Sequence, residues 1–141
     1  MAFLISPEKI TEKNGFYTFT KQVFSGGDNK VVIRIFASSR YILHVNGKYI
    51  CEGPCRGAQY IKYYDEITTD EFRRGMNEIT VKVLFTPQNF TTVFSLLKPA
   101  MVCDILLGDE KIISDGTWEC VYNAGENAVY HNMMMSLPPY E

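Results

Sequence analysis

Among the adjacent carboxylates of this chain are two pairs, Asp65 with Glu66 and Asp70 with Glu71. Paired carboxylates are what hydrolysis of a glycosidic bond uses, one as acid and one as base or nucleophile. Neither pair has a spacing suited to that work. In an extended segment Asp65 and Glu66 point to opposite faces. Asp70 and Glu71 fall in a stretch where Thr68 and Glu71 have the spacing of a capping box, so helix capping and solvated surface are the roles their positions predict. His44 lies in a segment of strand pattern and His131 in a polar tail, and neither has H-E-x-x-H or comparable metal spacing beside it. Cys51 and Cys55 form C-x-x-x-C, which together with His44 supplies no clear fourth zinc ligand. An unactivated cysteine behaves as a small buried hydrophobe, and that is the role read for them. Gly26 and Gly27 lack the strand, G-x-G-x-x-G and helix context of a dinucleotide site. Gly53 and Gly57 bracket Pro54 and Arg56 without making a phosphate loop, so these glycines shape turns. No catalytic residue, metal ligand set or cofactor site is assigned.

The one local grouping suited to binding is Arg56, Gln59, Tyr60, Lys62, Tyr63 and Tyr64. A tyrosine ring stacks on the apolar face of a sugar while its hydroxyl hydrogen-bonds, and Arg56 brings several directional donors. The same residue types are enriched at protein interfaces, so a packing or interface role is the competing and favoured reading for the chain in isolation. Trp118 is assigned to core packing against a sheet, with a sugar platform as its alternative role.

Composition bounds what these residues serve. The 141 residues are 46% hydrophobic, enough for one sizeable core. Fourteen Lys and Arg against sixteen Asp and Glu give a net charge of −2, with basic residues scattered rather than gathered, so no nucleic acid partner is expected. The apolar start "MAFLI" meets Ser6 and Pro7 before a signal-peptide core could form, and no apolar run approaches the roughly 20 residues of a membrane helix. The chain as it stands is read as soluble and cytoplasmic, without a membrane partner. Cys51, Cys55, Cys103 and Cys120 are too sparse and irregular for a disulfide-built scaffold and are expected as reduced thiols.

The elements that must position the binding residues are short strands. "FYTFTKQVF" (16–24) is rich in aromatic and β-branched residues. In "VVIRIFA", Val31, Ile33, Ile35 and Ala37 share one face and Arg34 and Phe36 the other. Tyr41, Leu43 and Val45 continue this pattern to Asn46 and Gly47, a tight hairpin turn, and the segment from Lys48 to Cys51 resumes it. "TTDEFRRG" reads as one short helical turn, with Thr68 and Glu71 as its capping box, Phe72 as apolar anchor and Gly75 as its end. "NEITVKVLF" alternates again and is expected to end near Pro87. No element is assigned over 87–99. A hairpin is expected at Gly108 and Asp109 between "VCDILL" and "EKIIS", then a strand in "TWECVY". Residues 122–141 are read as a tail or the start of an interdomain linker. Many short strands joined by polar turns predict an all-β sandwich over residues 1–141.

"YILHVNGKYICEGPCRG", followed by "YIKYYDEITTDEFRRGMNEITVKVL" and later by "CDILLGDEKIISDGTWEC", resembles the N-terminal non-catalytic β-sandwich of bacterial alpha-L-rhamnosidases. The likeness covers roughly residues 31–121. It is carried by Asn46, Gly47, Gly53, Pro54, Arg56, Gly57, Tyr64, Asp65, Gly75, Asn77 and Trp118, mainly fold-forming positions. After Phe85 the chain departs from the family's usual glycine-rich stretch and reads "TPQNFTTVFSLLKPA". The resemblance implies a jelly-roll, galactose-binding-domain-like sandwich acting as the accessory module of a rhamnosidase-like glycoside hydrolase. It also implies a separate catalytic domain as partner, no catalysis by this chain alone, no cofactor, and a rhamnosylated glycan as candidate ligand. The alternative function is a structural or interdomain packing module without sugar affinity.

Overall fold

The computed structural model describes residues 2–10, 15–27, 30–54, 63–85 and 98–127, and every regular element among them is a β-strand. In chain order these are β1 (Gly15–Ser25), β2 (Val31–Ala37), β3 (Tyr41–Val45), β4 (Lys48–Gly53), β5 (Asp65–Thr69), β6 (Gly75–Phe85), β7 (Met101–Leu107), β8 (Glu110–Ile113) and β9 (Glu119–Asn127). They form two antiparallel sheets, one in the order β4-β3-β6-β1-β9 and the other β5-β2-β7-β8. The arrangement is that of a jelly-roll, galactose-binding-like sandwich.

Alternation built these sheets. Val31, Ile33 and Ile35 on β2, Leu43 and Val45 on β3, and Ile79, Val81 and Val83 on β6 are all fully buried. Each inward branched side chain contributes about 1.5–3 kcal/mol by leaving water. Their neighbours in sequence, among them Arg34, His44 and Lys82, stand on the outer faces. A register slip of one residue would exchange the two sets, so the buried face fixes the pairing. Burial pushes the Cys103 thiol on β7 well above the ordinary thiol range, and Cys51, Cys103 and Cys120 are free thiols.

The two hairpin turns take the geometries their sequences favour. Asn46 and Gly47 both have positive φ, 52° and 77°, and join Val45 to its partner Lys48, as a type I′ turn requires. Gly108, at φ 55°, leads the turn between Leu107 and Glu110.

The helical turn expected in 68–75 does not form. Thr68 and Thr69 are in β5, paired with Val32 and Val31, and residues 70–74 are an irregular crossover. Polar side chains capture the backbone groups a helix would have used. Thr69 Oγ1 accepts from Glu71 N (3.2 Å). The buried Asn77 accepts from Arg73 N (2.9 Å) and donates to Arg73 O (2.8 Å) and Gly75 O (3.0 Å). Asn46 completes the knot by donating to Asn77 Oδ1 (2.9 Å) and Glu71 O (3.0 Å) and accepting from Glu78 N (3.0 Å). Phe72 is buried in the core, the anchoring role read for it.

Strand β9 also runs further than its sequence suggests. Residues 122–127, read as tail or linker, belong to it, and Tyr122 packs against Tyr17 with ring centroids 5.3 Å apart. Gly15 lies under the same ring, where a Cβ would come within 2.7 Å of it. The stretch read as unassigned after Pro87 and the residues beyond Asn127 lie outside the described residues, apart from 98–100.

Candidate functional site

The tyrosine segment enters the structure at Tyr63, just before β5. Arg56, Gln59, Tyr60 and Lys62 lie outside the described residues. Tyr63 and Tyr64 are 54% and 59% exposed. What fixes them is the residue that follows. Asp65 opens β5 at the edge of the four-stranded sheet and accepts a 2.6 Å hydrogen bond from Tyr41 Oη on β3, in the opposite sheet. This bond ties the two layers together beside the tyrosines. Tyr41 is buried, and burial together with the Asp65 bond drives its phenol pKa upward, so it stays a neutral donor. Gly53, ending β4, completes the junction. A Cβ there would come within 2.6 Å of the Tyr41 ring and would also strike the Asp65 carboxylate, so the close approach requires glycine. Cys51 stands beside the same group, and burial pushes its thiol up, away from the reactive thiolate.

From Tyr64 a polar row crosses the outer face of the four-stranded sheet. Arg34 on β2 holds its guanidinium carbon 5.9 Å from the centroid of the Tyr64 ring, within cation-π range. Its Nε donates to Glu66 Oε2 at 2.7 Å. That hydrogen bond and the carboxylate charge raise the Arg34 pKa further, so it is permanently cationic. The register sets Glu66, Arg34 and Asp104 directly opposite one another on β5, β2 and β7. Lys111 on β8 donates to Asp104 Oδ2 at 2.7 Å. Asp104 Oδ1 is buried without a hydrogen-bond partner among the described residues. An exposed aromatic ring, a guanidinium and two carboxylates thus share one surface, a combination able to stack a ring and hydrogen-bond hydroxyls.

Trp118 takes the core role. It is 7% exposed, packs in the central cluster and donates its indole N–H to Ile113 O at 3.1 Å, so its ring offers no platform to a sugar. Sequence reasoning missed Glu66, Asp104 and Lys111 as neighbours of the tyrosines. Alternation put Arg34 on an outer face, but cross-strand register was needed to bring Asp104 beside it. Asp65 and Glu66 do point apart, the first toward Tyr41 and the second toward Arg34. Asp70 and Glu71 lie in the crossover, and Glu71 pairs with Lys48. Among the described residues no three of His, Cys, Asp and Glu converge as metal ligands, and no helix is long and apolar enough to cross a membrane.

No family model matches this chain, and no curated protein matches it. Solved structures do. A GH78 family rhamnosidase of Bacillus sp. GL1 superposes with a TM-score of 0.70 at 24% identity, covering 86% of this chain and 13% of its own. The alpha-L-rhamnosidase of Aspergillus terreus gives 0.69 at 16% identity, covering 89% of this chain and 17% of its own. A Pleurotus ostreatus lectin, solved in complex with GalNAc, gives 0.63 at 17% identity over 86% of this chain and 35% of its own. At these identities the likeness establishes a shared β-sandwich fold, and the chain spans only a small part of each rhamnosidase it matches.

Proposed function

We propose that this chain is a non-catalytic carbohydrate-recognition module, of the kind that accompanies an alpha-L-rhamnosidase-like glycoside hydrolase, with a rhamnosylated glycan as ligand and a separate catalytic domain as partner. The observation that carries the reading is the exposed Tyr64 ring set against Arg34 and flanked by Glu66, on a fold that occurs in rhamnosidases and in a lectin. Tyr63, Arg56, Gln59 and Tyr60 extend the same recognition segment in this proposal. The carboxylates near Tyr64 are engaged by Tyr41, Arg34 and Lys111, which suits holding a ligand better than protonating a leaving group.

Titration of the 15N-labelled chain with rhamnose, galactose and rhamnosylated oligosaccharides tests this. Saturable shifts confined to the Tyr63–Glu66 region and its neighbours are expected. Absence of shifts across the panel at millimolar ligand would refute it.

One observation favours packing as a second reading. Phe24 and Met76 are cross-strand partners on β1 and β6, 66% and 55% exposed, at the opposite sheet. Two large apolar side chains paired in water suit contact with a neighbouring domain. Under that reading sugars would cause no shifts, and a catalytic domain added in trans would perturb Phe24 and Met76.

A further inference from the structure

We infer that the outer face of the four-stranded sheet binds a neutral pyranoside, stacked on Tyr64, with Arg34 and Asp104 reading two of its hydroxyls. The inference rests on the carbohydrate-recognition reading and adds to it a site, a role for each residue and a charge class of ligand.

Three features converge. Tyr64 presents an exposed ring at the rim of the face, and the guanidinium of Arg34 sits near it. A guanidinium carries about five N–H donors and the bond to Glu66 uses one, so Arg34 can hold Glu66 and a sugar oxygen together. On β7, directly across from Arg34 on β2, Asp104 has one oxygen on Lys111 and the other buried without a partner among the described residues. A buried carboxylate oxygen without a donor is unfavourable, and a ligand hydroxyl could relieve it once the side chains that cover Asp104 shift aside. A donor fork beside a carboxylate acceptor matches adjacent hydroxyls, each of which both donates and accepts.

Lys111, bound to Oδ2, is the neighbour that a ligand at Asp104 would displace in this proposal. The lysine side chain is 44% exposed and that of Asp104 17%, so the lysine end of the pair can turn toward solvent. Charge sets the ligand class. Arg34 and Lys111 are balanced by Glu66 and Asp104, so these four described groups carry no net charge with which to favour a uronic acid over its neutral counterpart. The other outer face has an exposed aromatic too, Tyr49 beside His44 at 6.1 Å. There Lys82 is already paired with Glu126 and stands over Phe16, and no buried acceptor without a partner is found on that sheet among the described residues.

The test is an NMR titration of the full chain and its Tyr64→Ala, Arg34→Lys, Asp104→Asn and Lys111→Ala variants with methyl rhamnoside, methyl galactoside and glucuronate. Tyr64 and Arg34 are at exposed or half-exposed positions, so their variants should keep dispersed spectra. At least one neutral glycoside is expected to shift Arg34, Asp104 and Tyr64. Its Kd should rise at least about tenfold in Tyr64→Ala and Arg34→Lys, and stay equal or fall in Lys111→Ala. Asp104→Asn should weaken binding in proportion to the acceptor lost, and glucuronate should bind no more tightly than the neutral sugars. Sugar shifts that instead map to Tyr49 and His44, with Tyr64→Ala and Arg34→Lys binding normally, would overturn this site while leaving carbohydrate recognition intact. Tighter binding of glucuronate would overturn the neutral-ligand assignment. No binding of any sugar would overturn both readings.

Discussion

Replacing Asn77 with alanine should cost this fold far more than a typical polar substitution. Asn77 is 1% exposed and makes hydrogen bonds to Arg73 N, Arg73 O, Gly75 O and the side chain of Asn46, all between 2.8 and 3.0 Å. Each such bond is worth about 0.5–1.5 kcal/mol net, and a partner left buried and unsatisfied costs about 1–3 kcal/mol. The backbone of Arg73 and Gly75 lies near the surface and can recover water, which moderates the loss. The amide of Asn46 also still reaches Glu71 O. The expected destabilisation is therefore about 2–4 kcal/mol. With a urea m-value of about 2 kcal/mol/M, the midpoint should fall by about 1–2 M without a change in slope. Asn77→Asp keeps the acceptor for Arg73 N but turns a carboxylate toward two carbonyls, so it should be destabilised as well. A double-mutant cycle with Asn46→Ala should show coupling, since the two side chains bond directly. A loss below about 0.5 kcal/mol for Asn77→Ala, within the range of ordinary surface changes, would refute the idea that side-chain capture of the backbone shapes the β5–β6 crossover.

Further expectations concern packing, titration and reactivity. Gly53→Ala forces a methyl group against the Tyr41 ring and Asp65, and should cost about 1–3 kcal/mol as overpacking, measured as a fall in Tm. His44 should titrate below its ordinary 6.5, because partial burial and then the nearby Lys82 disfavour its charge. The unfolded chain then binds the proton more readily, so stability should decline as pH falls from about 6.5 through the folded-state pKa and be independent of His44 above that window. Lys82→Met should move the His44 midpoint upward, as followed by NMR of the imidazole protons. Burial pushes the Cys103 thiol up strongly and that of Cys120 to about 11. At pH 8 both should react with a thiol reagent far more slowly than in the urea-unfolded chain, and equal rates would contradict their burial.

Most of the fold was legible because it depends on period. The alternation of Val31, Ile33 and Ile35, and of Ile79, Val81 and Val83, declares an inner face, and Asn46-Gly47 and Gly108-Asp109 declare turns. The crossover at 70–74 misled because Thr68, Glu71, Phe72 and Gly75 match a capped helix locally. The competing partner is Asn77, whose side chain takes the same backbone groups, and spacing alone does not reveal that competition. The candidate site was legible only in part. Tyr63 and Tyr64 stand out by type, whereas the neighbourhood of Arg34, Glu66 and Asp104 arises from strands distant in sequence. Their meeting is a property of the β5-β2-β7 order. Trp118 was readable as core, and its indole N–H bond to Ile113 shows how the ring is accommodated there.

Saturation-transfer NMR of the chain with methyl rhamnoside and a rhamnosylated oligosaccharide tests carbohydrate recognition most directly. Irradiating the protein's aromatic protons is expected to transfer saturation to the C–H protons of a bound sugar ring, competitively with unlabelled ligand and with strong loss in Tyr64→Ala. No transfer to either sugar at millimolar concentration, from a chain shown to be folded, would contradict a carbohydrate-recognition module and leave interdomain packing as the function to pursue.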